Sequence, residues 1–308
     1  MRGPMSPSAR PPAARPGGGL LYAVVAYGLW GLLPLYFHAM PRVGALEILA
    51  HRVVNSAVLL ALVVAVTRGR EGFRRLRGMP PRALAATTVL IAVNWGLYIW
   101  AVQAGRTLEA SLGYFVNPLV NVALGVGLLG ERLRPRQRAA FAVATVGVAV
   151  LVVATRTVPW IALVLAGSFG LYGLIRKQAD VEPMGGLLAE TALLAPPAVA
   201  FLGWLVARGE GSLGRDARET GLLLLAGVIT SVPLLAFGAA VRRLRLSTLG
   251  VVQYLAPTGQ FLVAVFVFGE PFGAARAIAF GFIWTALALY TWDAIVAARP
   301  EDPGVAAE

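Results

Sequence analysis

The feature that most constrains the fold is a series of long apolar runs, separated by short charged or Pro/Gly-containing stretches. About 20 mostly apolar residues suffice for one helix to cross the hydrocarbon core of a bilayer. Because such runs occupy most of the chain, we predict an all-α integral membrane protein with ten transmembrane helices. The predicted spans are residues 20–39, 45–67, 83–104, 107–129, 137–155, 158–176, 185–207, 220–241, 246–269 and 273–296.

Composition excludes a soluble fold of this length. Charged residues are 14% of the 308 residues and the mean hydropathy is +0.73, whereas a typical soluble domain is about 25% charged. The absence of cysteine excludes disulfides and thiolate metal sites. With only two histidines, a multi-histidine metal centre is not expected, and we predict no cofactor and no metal.

The net charge of +12 would suit nucleic-acid binding, but a membrane protein offers a simpler explanation. Most of the 27 lysine and arginine residues fall in the tails and in the loops that follow even-numbered spans. Cationic loops stay on the cytoplasmic side. We therefore predict cytoplasmic N and C termini and no nucleic-acid partner. The Pro/Gly-rich residues 1–19 are predicted to be a disordered tail, and residues 298–308 a second tail.

The chain also contains an internal repeat. At one constant spacing Pro118 matches Pro257, Gly130-Glu131 matches Gly269-Glu270, and Phe141 matches Phe280. This pairs the fourth span with the ninth, and a shift of five spans reverses the direction of crossing. The pattern predicts two inverted five-helix repeats, residues 20–155 and 156–297. Such repeats are typical of secondary transporters, whose substrate site lies between the halves.

Ionisable residues inside a membrane are costly and are therefore functional candidates. In the second span, Glu47, His51, Arg52 and Asn55 fall on one polar sector at 100° per residue. A structural alternative stays open, in which Glu47 and Arg52 lie near the helix end and neutralise each other or reach the interface.

Polar stripes in the third, fourth and ninth spans, together with Asn55, predict the walls of a substrate cavity. Each of the last two stripes contains a proline, and backbone groups freed by proline are tolerated where they line a cavity. The alternative is that small and amide side chains only pack helices together. The predicted cavity residues are Asn55, Asn94, Tyr98, Tyr114, Asn117, Asn121, Gln253, Tyr254 and Gln260.

Coupling to protons would need an intramembrane group that is alternately protonated and deprotonated. Histidine titrates near neutral pH in water, so His51 is one candidate. Glu190, in the seventh span, has no cation close to it in its own helix and is the second. Glu47 and Arg52 are further candidates for coupling.

Several motifs together resemble the RarD-type branch of the EamA family, within the drug/metabolite transporter superfamily. The resemblance covers nearly the whole chain and implies a ten-helix permease of the bacterial inner membrane. The motifs are Glu47-Ile-Leu-Ala-His51-Arg52, Asn94-Trp95, Glu109-Ala-Ser-Leu-Gly113-Tyr114, Asn117-Pro118, Tyr172-Gly-Leu-Ile-Arg176, Gln253-Tyr254-Leu-Ala-Pro257 and Phe268-Gly-Glu270-Pro271.

The combined interpretation is a secondary-active transporter of small organic molecules or drugs by alternating access, a monomer or homodimer in the lipid bilayer. No phosphate loop or Ser-His-Asp arrangement is present in the sequence, so an enzyme is not expected. A membrane-embedded enzyme and a lipid scramblase or accessory protein remain alternatives at this point, separable by solute flux.

Overall fold

The computed structural model describes residues 16–75, 79–130, 132–179, 183–241, 243–244 and 246–297, and these contain helices but no strands. The predicted tail segments 1–15 and 298–308, and Glu131 of the repeat, lie outside them. The helices are α1 (Pro16–His38), α2 (Ala45–Arg75), α3 (Pro81–Gln103), α4 (Thr107–Leu129), α5 (Pro135–Thr155), α6 (Trp160–Gln178), α7 (Pro183–Ala207), α8 (Ala217–Val241), α9 (Leu246–Val252), α10 (Leu255–Leu262), a π-helical segment (Val263–Val267) and α11 (Ala274–Ala297).

Eight of the described helices are long and apolar enough to cross a membrane, and two further apolar segments, Trp160–Arg176 and Leu255–Val267, are shorter. Large apolar side chains point outward along them, with Val66 86% and Phe266 76% exposed. Soluble proteins rarely expose extended apolar surface of this kind. The chain is therefore an all-helical, multi-pass membrane protein, while the ten-span arrangement stays a prediction.

Three helices depart most from their predicted bounds. Residues 16–19, predicted to belong to the disordered tail, begin α1, because a proline is tolerated in the first helical turn. α2 continues beyond the predicted span and is interrupted at Gly69, whose φ of 55° suits glycine. The ninth predicted span is divided into α9, α10 and the π-helical segment.

The break between α9 and α10 lies one turn before Pro257. A proline cannot donate to the carbonyl four residues earlier, and here that carbonyl, of Gln253, instead accepts from the Ala256 N–H at 3.2 Å. Pro118 lies in the matching fourth span, yet α4 is continuous from Thr107 to Leu129. The two prolines thus have different effects on their helices.

The helix contacts recur between the two halves of the chain. α4 packs on α6, as α10 packs on α1, and α3 packs on α6, as α8 packs on α1. α2 packs against α7, and α5 packs against α11. These contacts enclose a central space between α1, α2, α3, α4, α6, α7, α8 and α10.

Glycines permit close helix contacts around the central space. A Cβ on Gly227 of α8 would lie 2.6 Å from the backbone oxygen of Asn55 in α2. A Cβ on Gly259 would lie 3.0 Å from the Cα of Gly31, where α10 meets α1. Small residues let helix backbones approach within membranes. At these two positions glycine determines how near the helices around the central space can come.

Candidate functional site

A cavity of about 390 Å³ lies in the central space. Its size falls in the range of small-molecule sites, and such sites combine apolar walls with a few placed polar groups. Aromatic residues from both halves of the chain contribute much of the wall. The aromatic lining residues are Tyr27, Trp30, Trp95, Tyr98, Tyr114, Phe169, Tyr172, Phe237 and Tyr254.

Most of the polar residues predicted for the cavity do line it. The structure brings together the stripes of α3, α4 and the α9–α10 region, and it adds Arg52 from α2. Pro118 and Pro257 also line this cavity. The predicted residues found in the lining are Asn94, Tyr98, Tyr114, Asn117, Gln253, Tyr254 and Gln260.

Hydrogen bonds between helices hold one wall of the cavity in place. The Asn94 side-chain amide donates to the Leu165 carbonyl and the Ser168 hydroxyl, both at 3.0 Å. The Tyr114 hydroxyl donates to the Asn94 side-chain oxygen at 3.1 Å. Asn94 therefore joins α3 to both α4 and α6. Where α10 meets α1, the Gln260 amide donates to the Trp30 carbonyl at 3.2 Å.

Two predicted cavity residues lie elsewhere. The Asn55 amide donates to the Leu223 carbonyl at 2.8 Å and links α2 to α8. Asn121 is exposed, and its side chain lies near Gly170 of α6. Neither residue lines the cavity. Helical periodicity fixes the angles between residues but not which side of a helix faces the bundle centre.

Arg52 is the charged residue of α2 that reaches the cavity. Its side chain is buried, with 6% of the residue exposed. Its Nε donates to the Thr230 hydroxyl at 2.9 Å, and its guanidinium carbon lies 4.0 Å from the centre of the Trp95 ring. Cation–π contact of this kind is strongest when the pair is removed from water. Within the described residues, no carboxylate forms a salt bridge with Arg52.

Glu47 does not neutralise Arg52. Its two carboxylate oxygens accept from the Ser212 N–H at 2.6 Å and the Ser212 hydroxyl at 2.8 Å, in the connection between α7 and α8. Glu47 lies outside the cavity lining. The alternative of a Glu47–Arg52 pair is therefore wrong, and Glu47 instead anchors a connection to the start of α2.

Other carboxylates at this end of the bundle act in the same way. Glu270 accepts from the backbone N–H groups of Thr107 at 2.6 Å and Leu108 at 2.8 Å, which begin α4. Glu109 accepts from the Ile161 N–H at 3.0 Å, which begins α6. Anions stabilise helix N-termini, whose first N–H groups lack partners. The starts of α4 and α6 are thus held together at one end, since Glu109 in the first turn of α4 binds the start of α6.

Glu190 does not line the cavity, but its partner Arg176 does. Arg176 was not among the site residues predicted from the sequence. The fully buried carboxylate of Glu190 forms an ion pair with Arg176 of α6 at 3.3 Å and accepts from the Tyr172 hydroxyl at 3.1 Å. Arg176 and Tyr172 both line the cavity. Tyr172 and Arg176 are four residues apart and therefore share one face of an apolar helix. This spacing could have indicated them as site residues.

His51, the other leading coupling candidate, is buried in α2, with 8% of the residue exposed. It does not line the cavity. The four coupling candidates therefore separate: Arg52 faces the cavity, Glu190 adjoins it through Arg176, and Glu47 and His51 lie outside the lining. The part of the chain that the structure describes has no cluster of three or more metal-ligating side chains.

Comparison with known proteins identifies the family. The EamA-like transporter family model matches residues 17–153. Protein RarD of Streptomyces exfoliatus is 46% identical over 286 residues, which cover 91% of this chain and 90% of that protein. Protein RarD of Escherichia coli is 45% identical, over 91% of this chain and 96% of its own length. The chain is a RarD-type member of the EamA family.

Other relatives agree with this assignment. An uncharacterized transporter of Vibrio cholerae is 45% identical over 282 residues, 91% of this chain and 93% of that protein. A solved crystal structure that is 24% identical shares the fold at a TM-score of 0.59, covering 90% of this chain and 98% of that chain. The chain therefore belongs to a family of bacterial membrane transporters.

Proposed function

We propose that the protein is a secondary transporter that moves small organic molecules by alternating access, with the central cavity as its binding site. The observation that carries the proposal is the cavity itself. It is lined by residues from both halves of the chain, and the chain belongs to a transporter family. Substrate sites between repeats and beside broken helices are typical of such transporters. The break at Gln253 and Tyr254 supplies this feature.

The proposal includes two inverted five-helix repeats and ten spans. The recurrent packing of α4 on α6 and α10 on α1 supports a two-fold relation between halves. It also includes cytoplasmic termini, as the charge distribution predicts. In this cysteine-free chain, an impermeant thiol reagent applied to intact cells should label Arg208→Cys and leave Arg136→Cys unlabelled. The reverse labelling pattern would contradict the orientation.

Solute flux tests the transport function. The purified full chain in proteoliposomes should take up one or more members of a labelled panel of anionic, neutral and cationic aromatic solutes, saturably and above protein-free vesicles. Ala256→Trp, which adds bulk to the cavity wall, should abolish uptake. Ala142→Trp, at an exposed position of α5, is the matched control and should transport normally. If no panel member crosses while a labelled lipid is scrambled, transport is the wrong function.

We assign proton coupling first to Glu190. It is the buried carboxylate whose partners, Arg176 and Tyr172, line the cavity, so its protonation would change the charge that a substrate meets. His51 remains the second candidate. Glu190→Gln should abolish uptake driven by a pH gradient and preserve exchange without a gradient. His51→Ala should do the same only if histidine carries the proton, and normal gradient-driven uptake in both variants would contradict proton coupling through either residue.

A further inference from the structure

The guanidinium of Arg52 has unused hydrogen-bonding capacity at the cavity. Nε donates to Thr230, and no hydrogen bond from the two terminal nitrogens occurs within the described chain. Its electrostatic neighbours are the phenols of Tyr36, Tyr98 and Tyr114, which are neutral groups. A guanidinium offers five donors in a planar fork that matches a carboxylate. The buried Arg52 charge thus lacks an anion.

The other cation of the described lining differs. Arg176 forms an ion pair with Glu190, which offsets its charge inside the protein. No carboxylate side chain lines the cavity in the described residues. The cavity therefore presents one uncompensated positive charge. A buried charge is costly unless a counter-charge or hydrogen bonds satisfy it. A ligand with a single negative charge would therefore gain more binding free energy here than a neutral or cationic one.

Polar atoms next to Arg52 point to the same kind of ligand. The Tyr98 hydroxyl is buried and has no hydrogen-bond partner in the described structure. Tyr98 and Arg52 both contact the Phe37 ring, with centroid distances of 6.0 Å for the tyrosine ring and 5.8 Å for the guanidinium carbon. Since buried polar groups normally have partners, this O–H is a second donor available to an anion beside the guanidinium.

We propose that the cavity binds monoanionic organic acids with an aromatic body, the carboxylate held by Arg52 and the Tyr98 hydroxyl. This assignment names a substrate class and so rests on the proposed transport function. The aromatic wall, including Trp95, Tyr114 and Phe169, accepts the flat apolar body. A phosphate dianion would require a second uncompensated cation in the cavity. Arg176 does not provide one, because Glu190 offsets its charge.

A matched ligand series tests the proposal on the unmodified, detergent-solubilised full chain. Phenylbutyrate, phenylbutyramide and phenylbutylamine share one body and differ in charge. Isothermal titration calorimetry should show the acid binding at least about tenfold more tightly than the amide or the amine, because its charged hydrogen bonds add to the shared apolar contacts. Equal binding of acid and amide, or tighter binding of the amine, would overturn the assignment. Phenylpropyl phosphate can be tested at a pH where the phosphate is a dianion. If it then binds more tightly than phenylbutyrate, the assignment of a singly charged ligand is wrong.

Variants locate the site. Arg52→Gln should reduce the acid to the affinity of the amide, and Arg52→Lys should retain part of the preference. Arg138→Gln, which removes an exposed arginine of α5, is the matched control and should bind the acid normally. Full acid affinity in folded, monodisperse Arg52→Gln contradicts the proposal. Should that variant fail to fold, the ligand series on the unmodified chain still decides the outcome.

Flux separates this inference from the transport function. If the acid binds through Arg52 but no solute crosses proteoliposomes, the anion site stands and the transport proposal fails. If neutral or cationic solutes cross while the acid neither binds nor crosses, transport stands and the organic-acid assignment is wrong.

Discussion

Two arginines line one cavity, and they differ in what balances their charge. Arg52, about 10 Å along α2 from its first residue at 1.5 Å per residue, has a hydroxyl and an aromatic ring as partners. Arg176, in the last turn of α6, has a carboxylate. The hydrogen bonds of Glu109 and Glu270 show that α6 and α4 begin at one end of the bundle, and Arg176 lies at the far end of α6.

The difference teaches how to interpret a buried charge. A cation paired inside the protein, like Arg176, has its cost of burial offset by the fold. A cation without a counter-charge, like Arg52, keeps most of that cost until something else binds. For the same residue type in the same cavity, we therefore propose a structural and coupling role where the charge is paired and a recognition role where it is not. Four tests examine this contrast, from the largest expected effect to the smallest.

The largest expected effect is on stability, at the paired end. Arg176→Met leaves the fully buried Glu190 without its counter-charge and should lower the free energy of unfolding by about 3–5 kcal/mol. Arg52→Met removes an unbalanced charge and should change it by less than about 1 kcal/mol, since apolar replacement of a buried ion is often neutral. Unfolding in mixed detergent micelles with increasing SDS measures both.

The control for this comparison is the double variant Arg176→Met/Glu190→Gln. It removes both charges and should recover most of the stability lost in Arg176→Met. If Arg52→Met is as destabilising as Arg176→Met, the two arginines do not differ in the way the geometry indicates.

Helix packing beside Arg52 gives the second effect. Gly227→Ala would place a Cβ 2.6 Å from the Asn55 backbone oxygen, so α8 must move away from α2. This should lower the free energy of unfolding by about 1–3 kcal/mol. Thr230 lies one turn further along α8, so acid affinity should fall too. Gly238→Ala, in the same helix with open space around it, should be neutral or stabilising by up to about 1 kcal/mol. Equal stability of the two variants would contradict the close α2–α8 contact.

The helices could be predicted from the sequence because hydropathy and proline positions act locally. A helix lies at each predicted span, with bounds shifted by a few residues and the ninth divided. The prolines marked the α4 and α10 stripes as cavity walls, and both prolines line the cavity. The sequence did not show that the helix would break before Pro257 and continue through Pro118.

The sequence predicted the site residues that belong to the polar stripe of a single helix facing the cavity. It did not predict pairs whose two members lie on different helices. Asn94, Tyr98, Tyr114 and Asn117 belong to the first kind. The pairing of Glu190 with Arg176 belongs to the second, since the two residues lie on different helices. The sector of α2 was recognised as polar, but its residues have separate partners: Glu47 binds Ser212, and Arg52 binds Thr230.

Glu47 provides the third test, because it is the carboxylate nearest to Arg52 in sequence within α2. Glu47→Gln should destabilise the fold by about 1.5 kcal/mol, through loss of charged hydrogen bonds to Ser212, and leave acid affinity unchanged. Ser212→Ala keeps the backbone bond and should cost less. A change of acid affinity of about tenfold in Glu47→Gln would mean that Glu47 does influence the Arg52 charge.

The smallest effect is expected at Thr230, which orients Arg52 without carrying charge. Its hydroxyl accepts from Arg52 Nε and donates to the Ala226 carbonyl at 2.8 Å. Thr230→Val keeps the shape of the side chain and removes both bonds, so the guanidinium loses one fixed direction but keeps its charge. We expect about 1 kcal/mol less stability and a two- to fivefold weaker acid affinity, roughly the value of one hydrogen bond. Thr230→Ser retains the hydroxyl and is the control. A loss in Thr230→Val as large as that in Arg52→Gln would show that the position of the guanidinium, more than its charge, governs binding. No loss at all would show that the Trp95 and Phe37 rings hold the guanidinium without Thr230.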